Sequence, residues 1–574
     1  MNVRFIVTGF VALCAAIFMP AMLAHAQTDT ALINELEKKG VLTEKDAQDI
    51  EASEAKSYAE TGASKIVLSD AIKTIQFYGD LRLRFEMRDG TTPGGVLQTG
   101  SSSVSTSSGL SKVGPDSQTM NRWRYRLRFG AKGDLYDNFF WGIRANGNPT
   151  YDRSGNVTFG HSDGAGPFGK GFQDLAIDEV YLGWHATSDI TLTGGQYNNP
   201  LYTTNLVWDD NINPTGATEA YDHTFGDVEL FGSANQWIYQ AGGGNGITNT
   251  ANNGAGTGIN YSNTFMYAEQ IGFKYKFDKD TFFKMAGTFY TYSGTVGNNP
   301  AGGTVAGLYS STPINYSGAN QSPSYFNGPF VGAASAPISN VSGINDLAVL
   351  EVPMEFDFKI GPGMTTTSSG DPKDMKDVTT TTSGWSVPIR IFADFAYNTE
   401  ADERANAARG AIEQIYDGGT YLGSSNLGVT SAGTTTNNVT TAAQNKAMIN
   451  SPTFQGVLNS GKGLLDQSAY QIGFEAGQLK HKGDWDGKLY WQSTGYYAVD
   501  PNLVDADIFN AATNLNGVVA SVSHNWTEGL SSTIRYAYAT PVNGQLATPS
   551  VNQDLQIGDI RNYQVLQLDV MWKF

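Results

Sequence analysis

From Thr74 to the end of the chain, apolar and polar residues alternate in short runs separated by stretches rich in Gly, Ser, Thr and Asn. In the first run, Ile75–Arg88, the odd positions Ile75, Phe77, Leu81, Leu83, Phe85 and Met87 are apolar. The even positions Gln76, Asp80, Arg82, Arg84, Glu86 and Arg88 are polar or charged. In the second, Asn121–Asp134, Trp123, Tyr125, Leu127 and Phe129 alternate with Arg122, Arg124, Arg126 and Arg128. A period of two predicts strands with one apolar and one charged face. A soluble sheet would bury the apolar face against a second layer. A membrane barrel would give it to lipid and turn the charges to water inside.

The same pattern predicts strands at 75–88, 121–134, 138–147, 175–186, 190–197, 218–225, 228–240, 264–277, 281–293, 347–360, 386–399, 468–480, 487–499, 517–526, 530–540 and 563–574. That is about sixteen, an even number as bacterial barrels have. Tight connections such as Leu135–Asp137, Gly226–Asp227 and Thr527–Gly529 alternate with long ones such as Asp89–Met120, Asn198–Ala217 and Glu400–Gln467. Short turns on one side and long loops on the other are the asymmetry of an outer-membrane barrel. Gly361–Trp385 departs from it, a long segment on the short side with room for a further strand pair. Aromatic residues near strand ends, among them Trp123, Tyr136, Trp184, Tyr239, Tyr290, Tyr497, Trp526 and Trp572, suit the headgroup level of a membrane. The expected fold is therefore an all-β, transmembrane antiparallel β-barrel of about 16 strands, with a short N-terminal helical segment.

The N-terminus changes the picture by giving an address. Arg4 precedes the apolar stretch Val7–Met22, and Ala24-His25-Ala26 forms a small-x-small cleavage site, so 1–26 reads as a signal peptide. Residues 27–73 read as a periplasmic helical or coiled-coil-like segment and linker, with Leu32, Ile33 and Leu36 on one face. A solvated linker with helical tendency is the alternative. Residues 74–574 are the barrel. Cys14, the one cysteine, leaves with the signal, so no disulfide or thiolate chemistry is expected. The formal charge is −18, or −19 without Arg4, which argues against nucleic acid as a partner.

Two sets of residues carry candidate chemistry. Arg82, Arg84, Arg122, Arg124, Arg126 and Arg128, with Arg144 on the third strand, share a parity and would form a basic stripe on the inner wall. Pairing with strand acids such as Asp80 and Glu86 is the structural alternative. The long loop after the fifth strand carries Leu201, Leu206, Val207, Trp208 and Ile212, which suit packing in the lumen, although packing on the rim or a neighbouring subunit would also cover them. Folded inward, its Asp209 and Asp210 would face the arginines and set a transverse field across the pore.

The elements Asn199-Pro200, Val207-Trp208-Asp209 and Asn213-Pro214-Thr215-Gly216 within Gly195–Gly216 resemble the third loop of a porin family of Gram-negative outer-membrane β-barrels, general-porin-like in fold. Pro501–Gly517 and Lys39–Glu44 are similar to other segments of that family. Where the family often carries Lys-Met, this chain has Gln196-Tyr197. The resemblance implies a water-filled channel for passive diffusion of ions and small hydrophilic solutes, with an inward-folded third loop. It implies outer-membrane lipid as surroundings, a homotrimer as the assembly, and no cofactor or metal. The last strand ends on Phe574, and a terminal aromatic strand resembles the signal read by the outer-membrane assembly machinery.

Two other classes compete. A sealed barrel serving as a structural anchor or adhesin would also show these strands and loops. A barrel-embedded hydrolase would need a nucleophile and base, and no H-E-x-x-H or G-x-S-x-G motif is present.

Overall fold

In the computed structural model, residues 71–91, 117–148, 155–160, 174–240, 264–293, 347–369, 379–406, 463–509, 512–544 and 560–574 are described. The proposed signal peptide and all but 71–73 of the helical segment lie outside them. So do 294–346 and 407–462 of the long loops.

The strands are β1 (Gln76–Thr91), β2 (Ser117–Asp134), β3 (Phe139–Asn148), β4 (Val157–Thr158), β5 (Asp174–His185), β6 (Ile190–Gln196), β7 (Thr215–Phe225), β8 (Val228–Gln240) and β9 (Thr264–Lys276). They continue as β10 (Phe282–Ser293), β11 (Val349–Ser369), β12 (Thr379–Asn398), β13 (Ser468–Gly477), β14 (Trp485–Thr494), β15 (Leu515–Asn525), β16 (Leu530–Pro541) and β17 (Asn562–Lys573). β4 is a two-residue strand within the β3–β5 loop, laid against Arg124 and Tyr125 of β2. The remaining 16 strands pair antiparallel with their chain neighbours, and β17 returns to β1 through a continuous register from Asp80↔Lys573 to Thr91↔Asn562. The barrel is closed, so no sheet edge is left unpaired. Among the described residues no helix is long and apolar enough to cross a membrane.

Side-chain alternation runs as the sequence pattern requires. On β1 the even residues from Asp80 to Arg88 are buried and face inward, while Phe77 is exposed on the outside. Phe129, Leu182, Ile271, Ile391, Ile472, Val522, Ile534 and Val570 are likewise exposed on the outer face. That apolar belt is the lipid-facing surface. Glu219 of β7 and Glu269 of β9 flank Ala234 of β8 in one row of the sheet, and both point outward.

Three expectations change. The long β11–β12 hairpin accounts for the described part of Gly361–Trp385: the strands extend past a bulge between Ile360 and Gly363, with no further strand pair among the described residues. β14 ends at Thr494, so 495–499 belong to the following loop and not to the strand. Tyr239, Tyr290 and Tyr497 leave the aromatic belt for the interior, because parity turns the first two inward and the last lies on that loop. Trp123, Tyr136, Trp184 and Trp526 do face outward.

Candidate functional site

Two loops enter the barrel. The first, 197–214, joins β6 to β7, and the glycines at its ends carry left-handed backbone, Gly195 at φ 125° and Gly216 at φ 155°. A Cβ on Gly195 would stand 2.3 Å from the Val180 carbonyl oxygen, and one on Gly216 would stand 2.2 Å from that of Gln236. Glycine lets the chain leave the sheet at both points. Short polar side chains then shape the loop from within: Asn199 Oδ1 accepts from the Leu201 amide and Asp209 Oδ1 from the Asn211 amide. These are Asx turns, which fold without help from a neighbouring strand.

The loop reaches the far wall. Thr203 and Thr204 donate at 2.5 Å to Glu351 of β11 and Asp394 of β12, and Gln270 of β9 exchanges two 2.9 Å bonds with the Tyr202 backbone. Leu201, Leu206, Val207 and Trp208 are buried there against Trp237, Met266, Tyr290 and Val349 from the inner wall. Gln196-Tyr197 supplies no cation. The Tyr197 hydroxyl instead bonds Thr218 at 2.7 Å and accepts from Trp237 Nε1 at 3.1 Å.

The second loop, between β14 and β15, meets the first. Asp209 N donates to the Leu503 carbonyl at 2.7 Å, and Asp209 Oδ2 accepts from the Ala506 amide at 3.0 Å. Ala498, Val499, Leu503 and Val504 join the same apolar cluster. Asp500 fixes this loop by accepting from Tyr239 at 2.6 Å and Tyr292 at 2.9 Å. Together the loops place an apolar core inside the barrel, between wall and wall.

The arginines lie on the inner wall and are paired there. Asp80 accepts from Arg126 at 3.0 Å and Arg128 at 2.6 Å. Glu86 holds Arg122 at 2.7 Å and Arg88 at 3.0 Å, with Arg124 at 3.9 Å. Asp569 clasps Arg84 with two bonds of 2.7 and 2.9 Å, and Asp178 clasps Arg144 with two of 2.9 Å. Glu179 adds a 2.5 Å contact to Arg144. Arg82 donates to Asn156 at 2.5 Å.

The loop acid that meets this wall is neither Asp209 nor Asp210. Asp507 of the second loop lies 3.0 Å from Arg84 and 3.6 Å from Arg82. Burial alone would raise its carboxyl, but Arg84, Arg82 and Arg124 outweigh burial and hold it well below the usual carboxylate range. Asp209 is fully buried in the loop–loop junction. Asp210 alone of the pair reaches lumen water, and its charged neighbours are Asp209, Lys488, Asp507 and Arg535. Protein around it and the Asp209 charge raise its carboxyl, while Lys488 and Arg535 pull it back. The first loop touches the arginine wall through Asn211, which accepts from Arg126 at 3.4 Å.

A second charged wall escaped the sequence reading. Lys274, Lys284, Arg390 and Lys488 face inward beside Glu355, Asp357 and Glu475, and Arg390 lies 3.0 Å from Asp357 and 3.3 Å from Glu355. Lys284 leans over the Tyr202 ring at 4.0 Å, a cation–π placement that ties the loop to the wall, and Lys274 leans over Phe282 at 3.9 Å within the wall. The signal was the parity of Lys274 and Lys276 against Phe273, Tyr275 and Phe277. It is weaker than the run of four arginines because each strand contributes only one or two charges.

No nucleophile–base pair forms at His223. It bonds Asp189 at 2.9 Å, but Ser188 donates to the same carboxylate at 3.0 Å and not to the ring.

Residues 47–322 match the family model described as "Putative porin". No curated protein matches the chain. Among solved structures the chain is similar to OprB of Pseudomonas putida, at 9% identity and a TM-score of 0.39, covering 90% of this chain and 97% of that one. It is similar also to the outer-membrane channel DcaP of Acinetobacter baumannii, at 12% identity and 0.34, covering 88% and 99%. A third is OccK11 of Pseudomonas aeruginosa, at 9% and 0.34, covering 87% and 96%. A closed barrel with an apolar outer belt, matched over 47–322 to the model of a porin family, has the build of a Gram-negative outer-membrane channel.

Proposed function

We propose that this porin-family barrel is a channel for passive diffusion of ions and small hydrophilic solutes, narrowed by its two inward loops. One observation carries the reading: the inner face is lined by charge, from the arginine wall on β1–β3 to the lysine-bearing wall on β9–β14, while the outer face is apolar. Water is the medium that such an interior suits. In this reading the constriction has two parts. Asp507 opposes Arg82 and Arg84, with Arg122, Arg124, Arg126, Arg128 and Arg144 as the paired wall around them. Asp210 opposes Lys488 and Arg535, and Asp209 holds the loops together without facing the path.

The test is the reversal potential across a planar bilayer in a potassium chloride gradient. Asp210→Asn removes the acid that faces lumen water and shifts the potential toward anion preference by several millivolts, whereas Asp209→Asn acts mainly on stability. Equal behaviour of wild type and Asp210→Asn would remove that residue from the path.

A second reading has a specific observation behind it. The apolar cluster shared by the two loops is the packing expected of a sealed anchor barrel. Absence of single-channel steps at any voltage would select it over the porin.

The remaining expectations join the proposal: export by a signal peptide at 1–26, a periplasmic segment at 27–73, recognition of the last strand by the assembly machinery through Phe574, and a homotrimer. For Phe574, the packing offers support. Its backbone exchanges two hydrogen bonds with Gly79, and its ring lies where a Gly79 side chain would stand, 5.0 Å from the Trp572 ring.

A further inference from the structure

Resting on the channel reading, we propose that the arginine wall is a carboxylate-binding site, that Asp507 of the β14–β15 loop occupies it as a tethered competitor, and that a solute carboxylate displaces it. The loop lies on the wall as a bound acidic peptide would. The Asp507 carboxylate meets Arg84 at 3.0 Å and Arg82 at 3.6 Å, and accepts from Asn156 Nδ2 at 3.3 Å. Its backbone carbonyl accepts from Gln567 at 2.7 Å and Arg88 at 3.1 Å, and the preceding carbonyl of Ala506 takes a further bond from Arg88 at 3.2 Å.

The charge balance shows why a carboxylate belongs there. Among the described residues, Arg84 has Asp569 and Asp507 as its near acids, and Arg82 has Asp507 alone. Asp569 belongs to a strand of the wall, whereas Asp507 comes from a loop and is the acid that can leave. The Arg82 Nε is sealed from water and has no hydrogen-bond acceptor among the described residues. Guanidinium groups set this close repel one another unless acids lie among them, so a vacated wall takes up another carboxylate from solution. On the loop side, the Asp507 amide is held by Asp505 Oδ1 at 3.0 Å.

The probe is acetate, the bare carboxylate, exchanged for chloride at constant ionic strength. In the full-length protein purified in detergent, Asp507→Gly lowers the melting temperature, and acetate restores most of the loss while leaving wild type unmoved. Asp507→Asn, which keeps the side-chain size, covers the case in which the glycine variant does not fold. Its single-channel current exceeds that of wild type and is blocked by acetate in a concentration-dependent way, while wild type at the same acetate is not. Acetate acting equally on wild type and variant, or on neither, overturns the proposal, as does chloride restoring Asp507→Gly as well as acetate does. Rescue of the melt without current in any form would leave the site standing and overturn the channel reading instead.

Discussion

Asp209 and Asp210 are adjacent, and the fold gives them opposite surroundings. Asp209 is fully buried and holds the Ala506 and Asn211 amides, so it works as a turn-former and a clasp between loops. Asp210 is exposed, with Lys488 and Arg535 among its charged neighbours. Arg84 is the extreme case on the wall: its side chain is fully buried, with Asp569 and Asp507 as partners. Removing one member of a buried ion cluster leaves the others uncompensated. Arg84→Met is therefore expected to destabilise the barrel by about 3–5 kcal/mol, read as a lower urea midpoint in detergent. A midpoint within error of wild type would mean that the acids find water instead. Trp208 is the apolar counterpart, 3% exposed, 5.4 Å from the Trp237 ring and donating to the Ile212 carbonyl at 3.0 Å. Trp208→Ala should cost about 3–5 kcal/mol in the loop packing and raise open-channel noise. A quiet channel would show that the loop is held by its polar anchors alone.

At the scale of elements, the strands were legible because period-two alternation and lipid exposure impose the same constraint at every position. The loops were legible only in part. Leu201, Leu206, Val207 and Trp208 announced an inward loop, since no water-facing loop needs them. The β14–β15 loop was hidden because Tyr496–Val499 extend the strand pattern of β14, and nothing in its sequence says which wall Asp507 will meet. That pairing links residues 84 and 507, and only the closed barrel brings them together. The second loop also yields a pH dependence. Burial, with Asp209 and Asp507 beside it, pushes Asp505 from 3.8 up to about 8. A raised acid keeps its proton in the folded loop after the unfolded chain has lost it. Its contribution is present below pH 3.8, declines as the pH rises, and is gone once the pH passes about 8. Above that point Asp505 ionises in place beside two other acids. The two-loop core should loosen between pH 7 and about 9, seen as a red shift in tryptophan emission, and Asp505→Asn should flatten the change. A wild-type emission constant across that range would refute the shift.

For the whole molecule, the outer surface matters as much as the lumen. A barrel that meets lipid on all sides has no use for Glu219 and Glu269, which share a sheet row with Ala234 between them. Among the described residues neither makes a hydrogen bond or ion pair. Charged groups at mid-membrane height destabilise a lipid-facing wall, by up to about 2–4 kcal/mol for a basic residue and less for an acid. The neighbourhood is also the wrong shape for lipid: Ala217, Gly232 and Ala234 leave the sheet bare, and Ile271 stands 76% exposed opposite Gly232 and Gly287. A surface of small residues, with Tyr221 and Ile271 projecting on either side of Gly232, suits close approach of another protein wall, where polar groups of a neighbour can meet the carboxylates. In the proposed homotrimer, β7–β9 is accordingly a subunit contact. The double variant Glu219→Leu/Glu269→Leu should migrate as a monomer on unheated gels where wild type migrates as a trimer, while its monomer unfolds at higher denaturant because the acids no longer face lipid. Trimers of undiminished stability in the variant would move the contact elsewhere on the belt, and a monomeric wild type in native membranes would end the trimer proposal.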